Sequence, residues 1–373
     1  MHPKSPASIQ LAGPEVLERL FLGFEGTELP AELAALLASG LAGVAIYPRN
    51  YKDLAGLRAL CDSIRQAAKQ PVLIGIDQEG GTRFSLPPPF TPWPSPSELG
   101  VLDDAALVEQ VARAMAREML AAGLNLDFAP MLDLATNPAS PVTSGRSFGA
   151  NPQKVARMGI ACLRGLAAEG ILACAKHFPG HGDAAVDPHF DLPRFDGTRE
   201  RLAQQELVPF AVAIQAGVPL VMTAHILLPQ VDPDFPASIS RTVLDGILRR
   251  QLRFDGVILA DDLGMGAIAR RYGPGESVVK TLQSGTDIAM LCHDSTAVPK
   301  VIEALSKSIE EGRFEPAQWS AGRARIARLR EQLRATSKPL PPLDVVGCAE
   351  HRALAQEIRA RLAHAPKLPD EPE

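Results

Sequence analysis

Short apolar runs recur along most of the chain. Eight of them are four to six residues long: Leu20–Gly23, Ala42–Tyr47, Val72–Ile76, Leu124–Phe128, Ile171–Ala175, Pro219–Thr223, Gly256–Ala260 and Asp287–Cys292. Continuous apolar runs of this length are typical of strands that are buried on both faces, as in a parallel sheet.

Longer stretches rich in Ala, Leu and Arg follow these runs and predict helices. They are Ala31–Leu37, Asp53–Ala67, Asp104–Ala122, Pro152–Glu169, Arg199–Ala216, Ser240–Gln251, Gly275–Gln283 and Ala297–Glu311. Eight strand–helix units predict an α/β protein with a single (β/α)8 TIM-type barrel. A doubly wound open sheet is the alternative, but no glycine-rich dinucleotide fingerprint follows any of the runs.

Polar residues cluster where the apolar runs end. They are Arg49, Asn50, Asp77, Gln78, Glu79, Asp127, Lys176, His177, His225, Asp261, Asp262, His293 and Asp294. The active site of a barrel lies at the carboxyl ends of its strands. We therefore expect these side chains to converge on one pocket.

The pattern becomes helical and charged after about Pro316. Ile326, Leu329 and Leu333 are spaced to form one apolar stripe against the barrel. A proline-rich segment then leads to a last predicted helix, Ala349–Ala363, and to a solvated tail. We expect a catalytic barrel over residues 1–335 and a helical extension with a tail over 336–373.

Composition narrows the possible partners and the cellular location. The net charge of −5 makes nucleic acid an unexpected partner, because phosphate contacts need clustered Lys and Arg. The N-terminus lacks the apolar core of a signal peptide, and no run reaches the length of a membrane span. We expect a cytoplasmic protein that is a monomer or a weak homodimer. The five scattered cysteines predict neither a disulfide framework nor a thiolate zinc site.

The segment Lys176–Asp191, KHFPGHGDAAVDPHFD, contains more candidate catalytic side chains than any other segment of its length. Only Pro188 separates Asp187 from His189, so both side chains can point the same way in an extended chain. A carboxylate that binds one imidazole nitrogen leaves the other free to move a proton near neutral pH. A polar loop folded on itself is the alternative for such a pair taken alone.

Three further segments carry candidate residues. FDGVILADDLGMG predicts a buried strand ending in Asp261 and Asp262, of which one can be structural while the other faces the pocket. VLIGIDQEGG places Asp77 where its carboxylate can accept hydrogen bonds from sugar hydroxyls, with Glu79 shaping the turn. SGRSFG offers Arg146, either as a binding cation or as a surface arginine.

These segments together resemble glycoside hydrolase family 3, specifically its single-domain bacterial β-N-acetylglucosaminidases. The resemblance covers roughly residues 15–335 and depends on the order of several motifs. They are GTELP (26–30), YPRNY (47–51), IDQEGG (76–81), APMLDL (129–134), RSFG (146–149), KHFPGHGD (176–183), DPH (187–189), MTAH (222–225) and GVILADDLGM (256–265).

The resemblance implies a retaining hydrolase with neither cofactor nor metal. Asp261 matches the nucleophile, His189 the acid/base and Asp187 its partner. The positions that match sugar-binding residues are Asp77, Arg146, Lys176 and His177. The implied substrate is a terminal β-linked GlcNAc, with muropeptides of cell-wall recycling as the natural source. We expect this chain to have no counterpart of the second domain from which larger glucosidases of the family take their acid/base.

Some residues depart from the family pattern. Ala260 precedes the nucleophile where Ser or Thr is usual, Thr82 stands where Arg is frequent and Arg83 is displaced by one, and Pro188 replaces a small polar residue. None of them removes a group that the mechanism needs.

Other functions stay open on the sequence. One is a metal-dependent hydrolase with ligands from His177, His181, Asp183, Asp187 and His189. The others are a family 3 β-glucosidase, a phosphorylase and a non-catalytic sugar-binding protein on the same fold.

Overall fold

The computed structural model describes residues 13–365 except Thr82 and Ser85, and only the backbone of Arg83 and Phe84. Residues 1–12, the departure at Thr82 and the predicted tail beyond Ala365 lie outside the described residues. Eight parallel strands form a closed barrel whose neighbours follow chain order. The strands are Leu20–Leu22, Gly43–Ala45, Leu73–Ile76, Leu126–Asp127, Leu172–Phe178, Leu220–Thr223, Val257–Asp262 and Ile288–Leu291.

The barrel prediction is confirmed, and every predicted run contributes a strand. Pairing of Leu20 with Ala289 and of Phe21 with Met290 closes the barrel between the first strand and the last. Two strands run further than predicted, Leu172–Phe178 and Val257–Asp262. Consequently the polar residues at these two strand ends are held by the hydrogen-bond ladder of the sheet rather than by a loop.

Helices surround the barrel. They span Pro14–Leu17, Ala31–Ala38, Leu54–Ala67, Pro96–Leu102, Ala105–Ala121, Pro152–Glu169, Arg199–Gln204, Leu207–Gln215, Gly266–Ala269, Pro274–Gln283, Val298–Glu310, Pro316–Thr336 and Ala349–Ala363. Residues Thr242–Gln251 form a wider π-helix, and short 3₁₀ turns lie at Pro48–Asn50, Ala237–Ile239, Ser295–Ala297 and Leu343–Val345. Among the helices of the described residues, none is long and apolar enough to cross a membrane.

The single helix predicted over Arg199–Ala216 is wrong, because the structure breaks it at Gln205 and Glu206. Pro209 has no N–H to donate to the carbonyl of Gln205, so the chain starts a new helix in which the proline lies in the first turn.

Two elements near the third strand were not predicted. Gln78–Gly80 and Arg83–Phe84 pair as an antiparallel hairpin directly after that strand. The helix Pro96–Leu102 begins with a capping box, in which Glu98 N donates to Ser95 Oγ (3.2 Å) and Ser95 N donates to Glu98 Oε2 (2.7 Å). The S-x-x-E spacing is a sequence signal for such a helix start.

The helix Pro316–Thr336 closes the amino-terminal end of the barrel. The predicted stripe of Ile326, Leu329 and Leu333 is buried with the side chains that fill the barrel interior. Arg325 and Arg330 on the same helix bind Asp287 Oδ1 (2.9 Å) and the carbonyl oxygen of Gly40 (2.8 Å), both just before strands begin. The opposite, carboxyl end is thereby left open for a site.

The last helix lies against the outside of the barrel. Its His351 Nδ1 is 2.7 Å from Oε1 of Glu118, a buried residue of the helix Ala105–Ala121. The division of the chain at residues 335 and 336 stays a prediction.

Candidate active site

A cleft of about 300 Å³ lies at the carboxyl ends of the barrel strands. Its walls are Tyr47, Asp77, Pro141, Val142, Arg146, Lys176, His177, His181, Asp187, Pro188, His189, Met222, Asp261, Asp262, Met265, Met290 and His293. All seven residues predicted for the site line this one cleft, although they come from distant parts of the chain. The barrel therefore brings them together, while their individual roles stay predictions.

The two acids at the end of the strand Val257–Asp262 have different surroundings. Asp262 Oδ1 accepts hydrogen bonds from the backbone N–H groups of Gly264 and Cys292, both at 3.0 Å. Asp262 Oδ2 lies 2.6 Å from Nδ1 of His293. Asp261 accepts one hydrogen bond among the described residues, from Asp262 N at 2.8 Å. Asp262 therefore holds the loops together, and Asp261 faces the cleft.

Burial disfavours the charged form of Asp261. The imidazoles of His177 and His225 favour it once acid has protonated them, and the N–H of Asp262 and the ammonium of Lys176 also favour it. Together they hold the pKa of Asp261 below its ordinary value. The carboxylate is thus ionised at neutral pH and available to donate an electron pair.

Asp187 and His189 form the pair that their spacing predicts. Asp187 Oδ1 is 2.7 Å from His189 Nδ1 and also accepts the backbone N–H of His189 at 2.8 Å. About half of the His189 side chain is exposed, at 51%. Because the carboxylate engages Nδ1, the imidazole is held in the tautomer whose Nε2 is free to accept a proton.

An ionic network forms the opposite wall. Lys176 Nζ lies 2.5 Å from Asp77 Oδ1 and 2.6 Å from Glu79 Oε1. Arg146 binds Glu79 through two parallel bonds, Nε to Oε2 at 2.9 Å and Nη2 to Oε1 at 2.7 Å. The fork geometry shows that Arg146 is chiefly committed to Glu79, while a third of the Asp77 side chain is exposed to the cleft.

Each charged group of this network shifts the pKa of its partners in favour of their charged forms. Burial alone would raise the pKa of Glu79, but the cations of Arg146 and Lys176 hold that pKa far below its ordinary value. Burial lowers the pKa of Lys176, and the carboxylates of Asp77 and Glu79 more than reverse this effect, so its pKa is raised. Glu79, Arg146 and Lys176 are therefore charged at neutral pH.

A buried carboxylate orients two histidines near Asp261. Asp133 Oδ2 lies 2.6 Å from His177 Nδ1, and Asp133 Oδ1 accepts the backbone N–H of His181 at 2.8 Å. Burial lowers the pKa of His177, which keeps the imidazole neutral with Nδ1–H donating to Asp133. The other nitrogen, Nε2, is then an acceptor for a ligand hydroxyl.

With this geometry in place, comparison with known proteins identifies the family. Residues 10–329 match the model described as the glycosyl hydrolase family 3 N-terminal domain. The chain belongs to glycosyl hydrolase family 3. It is a glycoside hydrolase, and its curated relatives include a beta-hexosaminidase from Thiobacillus denitrificans that is 37% identical over 318 residues, or 83% of this chain and 85% of the relative.

Solved structures of family 3 enzymes superpose closely. A β-N-acetylglucosaminidase from Paenibacillus sp. FPU-7 has a TM-score of 0.88 at 35% identity, covering 92% of this chain and 67% of that one. NagZ from Neisseria gonorrhoeae, solved with N-trifluoroacetyl-D-glucosamine, has a TM-score of 0.75 at 30% identity, covering 94% of this chain and 98% of that one.

Some of the polar residues that were predicted at the strand ends do not line the cleft. The expectation of convergence is therefore wrong for Arg49, Asn50, Gln78, Glu79, Asp127, His225 and Asp294. Asp127 is buried beneath the hairpin, where its Oδ1 accepts the backbone N–H of Gln78 at 3.0 Å and burial raises its pKa well above the ordinary value. The ring of His225 bridges Ser238 Oγ (2.7 Å) and the carbonyl oxygen of Asp262 (3.0 Å).

The sequence analysis did not predict the contacts of several other residues at the site. Glu79 was interpreted as a turn residue, yet it anchors both Arg146 and Lys176. Asp133 lies within the APMLDL motif, and nothing in that motif predicted its hydrogen bonds to His177 and His181. Tyr47 and His293 line the cleft with their rings 5.2 Å apart. The two-residue spacing of Asp77 and Glu79, which places them on one side of an extended chain, was the available signal for Glu79.

The five residues proposed as metal ligands in the alternative hypothesis do not all meet at one point. Two of them make separate contacts. Asp183 binds Arg201 and Thr136 Oγ1 instead of a histidine, and Asp187 binds His189. His177 and His181 do lie with Asp133 in a cluster of possible ligand atoms within 4.8 Å of one another. The distance of 2.6 Å from His177 Nδ1 to Asp133 Oδ2 is that of a hydrogen bond. Two atoms that bind one tetrahedral zinc at about 2.0–2.2 Å lie about 3.3–3.6 Å apart, so this pair is too close to share a metal as it stands.

Proposed function

We propose that this family 3 enzyme is a retaining β-N-acetylglucosaminidase that releases terminal β-linked GlcNAc. The observation that carries the proposal is the convergence of the Asp187–His189 pair and the lone carboxylate of Asp261 on one cleft. The names of the relatives, beta-hexosaminidase and β-N-acetylglucosaminidase, support the choice of sugar.

In the first step Asp261 attacks the anomeric carbon and the bond from that carbon to the leaving oxygen breaks. Protonated His189 donates its Nε2 proton to the leaving oxygen, so the aglycone departs as a neutral alcohol. Asp187, bound to Nδ1, stabilises the imidazolium before the transfer. The products of this step are a glycosyl ester of Asp261 and a neutral imidazole.

In the second step a water molecule replaces the aglycone. Neutral His189 takes a proton from the water while the oxygen attacks the anomeric carbon and displaces the carboxylate of Asp261. Two displacements at one carbon leave the product with the β configuration of the substrate. The enzyme returns with Asp261 ionised and His189 protonated.

The opposite wall supplies hydrogen-bonding groups for the sugar. Asp77 offers an exposed carboxylate for hydroxyl donors, Lys176 an ammonium for hydroxyl acceptors, and His177 a neutral ring nitrogen. Arg146, bound to Glu79, holds the network in place and lines the cleft beside them. Groups fixed in this way bind the sugar with little loss of conformational entropy.

We further infer that the natural substrate is a muropeptide fragment in which GlcNAc is β-1,4-linked to an anhydro-muramic unit. This assignment includes a cytoplasmic monomer or weak homodimer acting in cell-wall recycling. The test is release of GlcNAc from purified muropeptides. Efficient cleavage of another glycoside without release from these fragments would contradict it.

The first experiment compares aryl β-N-acetylglucosaminide with aryl β-glucoside, each with and without phosphate. We expect fast release from the GlcNAc substrate alone, independent of phosphate, and a β-configured first product by proton NMR. Preferred cleavage of the glucoside would indicate a β-glucosidase, and phosphate-dependent release a phosphorylase. No release from either substrate would favour a sugar-binding protein.

A further inference from the structure

The loop that carries the Asp187–His189 pair is tied directly to the turn that follows Asp261. Gly266 N donates to the carbonyl oxygen of His189 at 3.1 Å, and Ala267 N donates to that of Pro188 at 3.0 Å. The two donors open the short helix Gly266–Ala269, which follows the nucleophile strand after one turn. The acid/base loop therefore takes its position from the short helix that follows the strand of Asp261.

That turn is itself fixed to the nucleophile strand. Met265 N donates to the carbonyl oxygen of Asp262 at 3.0 Å, and Gly264 N donates to the Asp262 carboxylate at 3.0 Å. Asp262 is buried and also accepts a hydrogen bond from Cys292 N, directly after the next strand. A short chain of backbone contacts thus connects the peptide of Asp261 and Asp262 with the peptide of His189.

The close approach depends on glycine at position 266. A Cβ atom there would lie 2.6 Å from the carbonyl oxygen of His189 and 2.9 Å from that of Phe190. Both obstacles are backbone atoms, which cannot rotate away as a flexible side chain would. The φ angle of Gly266 lies outside the left-handed region, so the need for glycine is one of space rather than of backbone conformation.

Two further contacts among the described residues hold the ends of the loop. Its start is held by Asp183, which binds Arg201 and Thr136, and its end by a long contact of 3.4 Å between Asp191 and Arg271. Between these points the side chains of Val186, His189 and Phe190 are exposed. The docking at Gly266 is therefore the contact nearest to His189 that can fix its distance from Asp261.

We propose that Gly266 is a positioning residue of the hydrolase. Because it has no side chain, the acid/base loop (residues 184–192) can pack against the start of the helix Gly266–Ala269, which follows the strand of Asp261. The proposal rests on the proposed function, because it assigns His189 the role of proton donor. Any larger residue at 266 pushes the loop outward and withdraws His189 from the leaving oxygen, while Asp261, held by its strand, keeps its place.

This displacement has a kinetic signature. A leaving group with a low pKa departs without a proton, whereas one with a high pKa needs the acid. Loss of acid positioning therefore lowers kcat/KM for poor leaving groups and spares good ones. A general structural defect lowers kcat/KM for every substrate by the same factor, because it reduces only the concentration of active enzyme.

The test uses Gly266→Ala on the full chain with two aryl β-N-acetylglucosaminides, the 2,4-dinitrophenyl and the 4-methoxyphenyl glycosides. We expect kcat/KM for the methoxyphenyl substrate to fall about 100-fold, within the usual range for general acid catalysis, and that for the dinitrophenyl substrate to fall less than about threefold. Gly273→Ala is the matched control, because a Cβ at Gly273 meets nothing within 4 Å.

A second variant and a second measurement distinguish displacement of the loop from misfolding of the variant. Ala267→Pro removes the N–H that binds Pro188 at a position, the first helical turn, that accepts proline. Hydrogen exchange of the segment 184–192 should quicken in both variants while the barrel strands stay protected. An equal fall for both substrates, or unchanged kinetics, would overturn the proposal. A wild-type enzyme inactive on both substrates would instead overturn the proposed function.

Discussion

The Nδ1 atom of His293 lies 2.6 Å from Oδ2 of Asp262, the neighbour of the proposed nucleophile. Together with two backbone N–H groups at 3.0 Å, this contact occupies both oxygens of Asp262. A carboxylate with three donors is a weak nucleophile, since its electron pairs are already engaged. The contact therefore distinguishes two adjacent acids that the sequence alone leaves equivalent.

Asp261→Asn should lower turnover by several orders of magnitude with the fold intact. The amide cannot attack the anomeric carbon, and Asp261 contributes only one hydrogen bond to the structure described, from Asp262 N. The measurements are kcat on an aryl β-N-acetylglucosaminide and a thermal melt. Asp262→Asn is the contrasting variant, which should melt at a lower temperature because it places an amide against His293.

Chemical rescue distinguishes a nucleophile from an electrostatic group. With Asp261→Ala and added azide, the anion should attack the vacated face and give the α-glycosyl azide. Near wild-type turnover of Asp261→Asn, or an azide product of β configuration, would exclude Asp261 as the nucleophile.

Asp187→Asn should reduce kcat/KM for a poorly activated aryl substrate about 100-fold, and that for a highly activated one much less. The change removes the charge that stabilises protonated His189 and disturbs the tautomer fixed by the 2.7 Å contact. Steady-state kinetics on both substrates test this. Asp196→Asn is a suitable control because Asp196 is an exposed acid a few residues beyond the loop. Equal losses on both substrates in Asp187→Asn would argue against an acid/base role.

Glu79→Gln should destabilise the fold by about 3–5 kcal/mol, because it leaves the buried cations of Arg146 and Lys176 without their shared partner. The pKa of Glu79 is lower in the folded protein than in the unfolded chain. Its ionised form therefore stabilises the fold above the ordinary carboxyl pKa of about 4.3, and this stabilisation is lost as the pH falls toward the folded-state value.

Urea unfolding at several pH values measures this effect. The difference in the free energy of unfolding between wild type and Glu79→Gln should be constant from about pH 5 to 7 and shrink below about pH 4. A difference that grows in acid would show that Glu79 is protonated in the folded protein.

The fold could be predicted because its signals are local. Most barrel strands begin in a continuous apolar run, and most of these runs give way to polar residues within one or two positions. The Asp187–His189 pair was predictable for the same reason, since two residues apart in an extended chain share a face. Local periodicity did not reveal the helix break before Pro209, although the proline itself was a signal.

The site network was harder to predict because its partners are distant in the chain. Arg146 and Glu79 are 67 residues apart, and His177 and Asp133 are 44 apart. Which acid binds which cation depends on how the closed barrel aligns its strand ends, and no local pattern records that alignment. For the same reason no local signal paired the guanidinium of Arg146 with Glu79, and the sugar-binding role of Arg146 stays a prediction.

His293→Ala should raise KM more than it lowers kcat. Its ring lines the cleft beside Tyr47 and is held by Asp262, with the side chain 55% exposed, so it is placed to contact substrate without being a reacting group. We expect an increase in KM of about tenfold, corresponding to the loss of one or two hydrogen bonds. Asp294→Ala changes an exposed neighbour and serves as control. A fall in kcat at unchanged KM would instead assign His293 to the chemistry.

Glu118→Ala should detach the last helix from the barrel. The buried Glu118 carboxylate accepts hydrogen bonds from Thr91 N (3.1 Å), Thr91 Oγ1 (2.6 Å) and Gly347 N (3.0 Å), and lies 2.7 Å from His351 Nδ1. Each buried donor left without an acceptor costs about 1–3 kcal/mol, so the free energy of unfolding should fall by more than about 3 kcal/mol.

The same variant should leave the chemistry intact, because Glu118 and the last helix lie outside the cleft. Below the melting temperature kcat should stay within about twofold of wild type, while limited proteolysis cleaves the segment around Gly347 faster. Gln110→Ala, an exposed position on the same helix as Glu118, is the control. If Glu118→Ala lost activity without losing stability, the terminal helix would have to act on the site through the barrel rather than serve as a support for it.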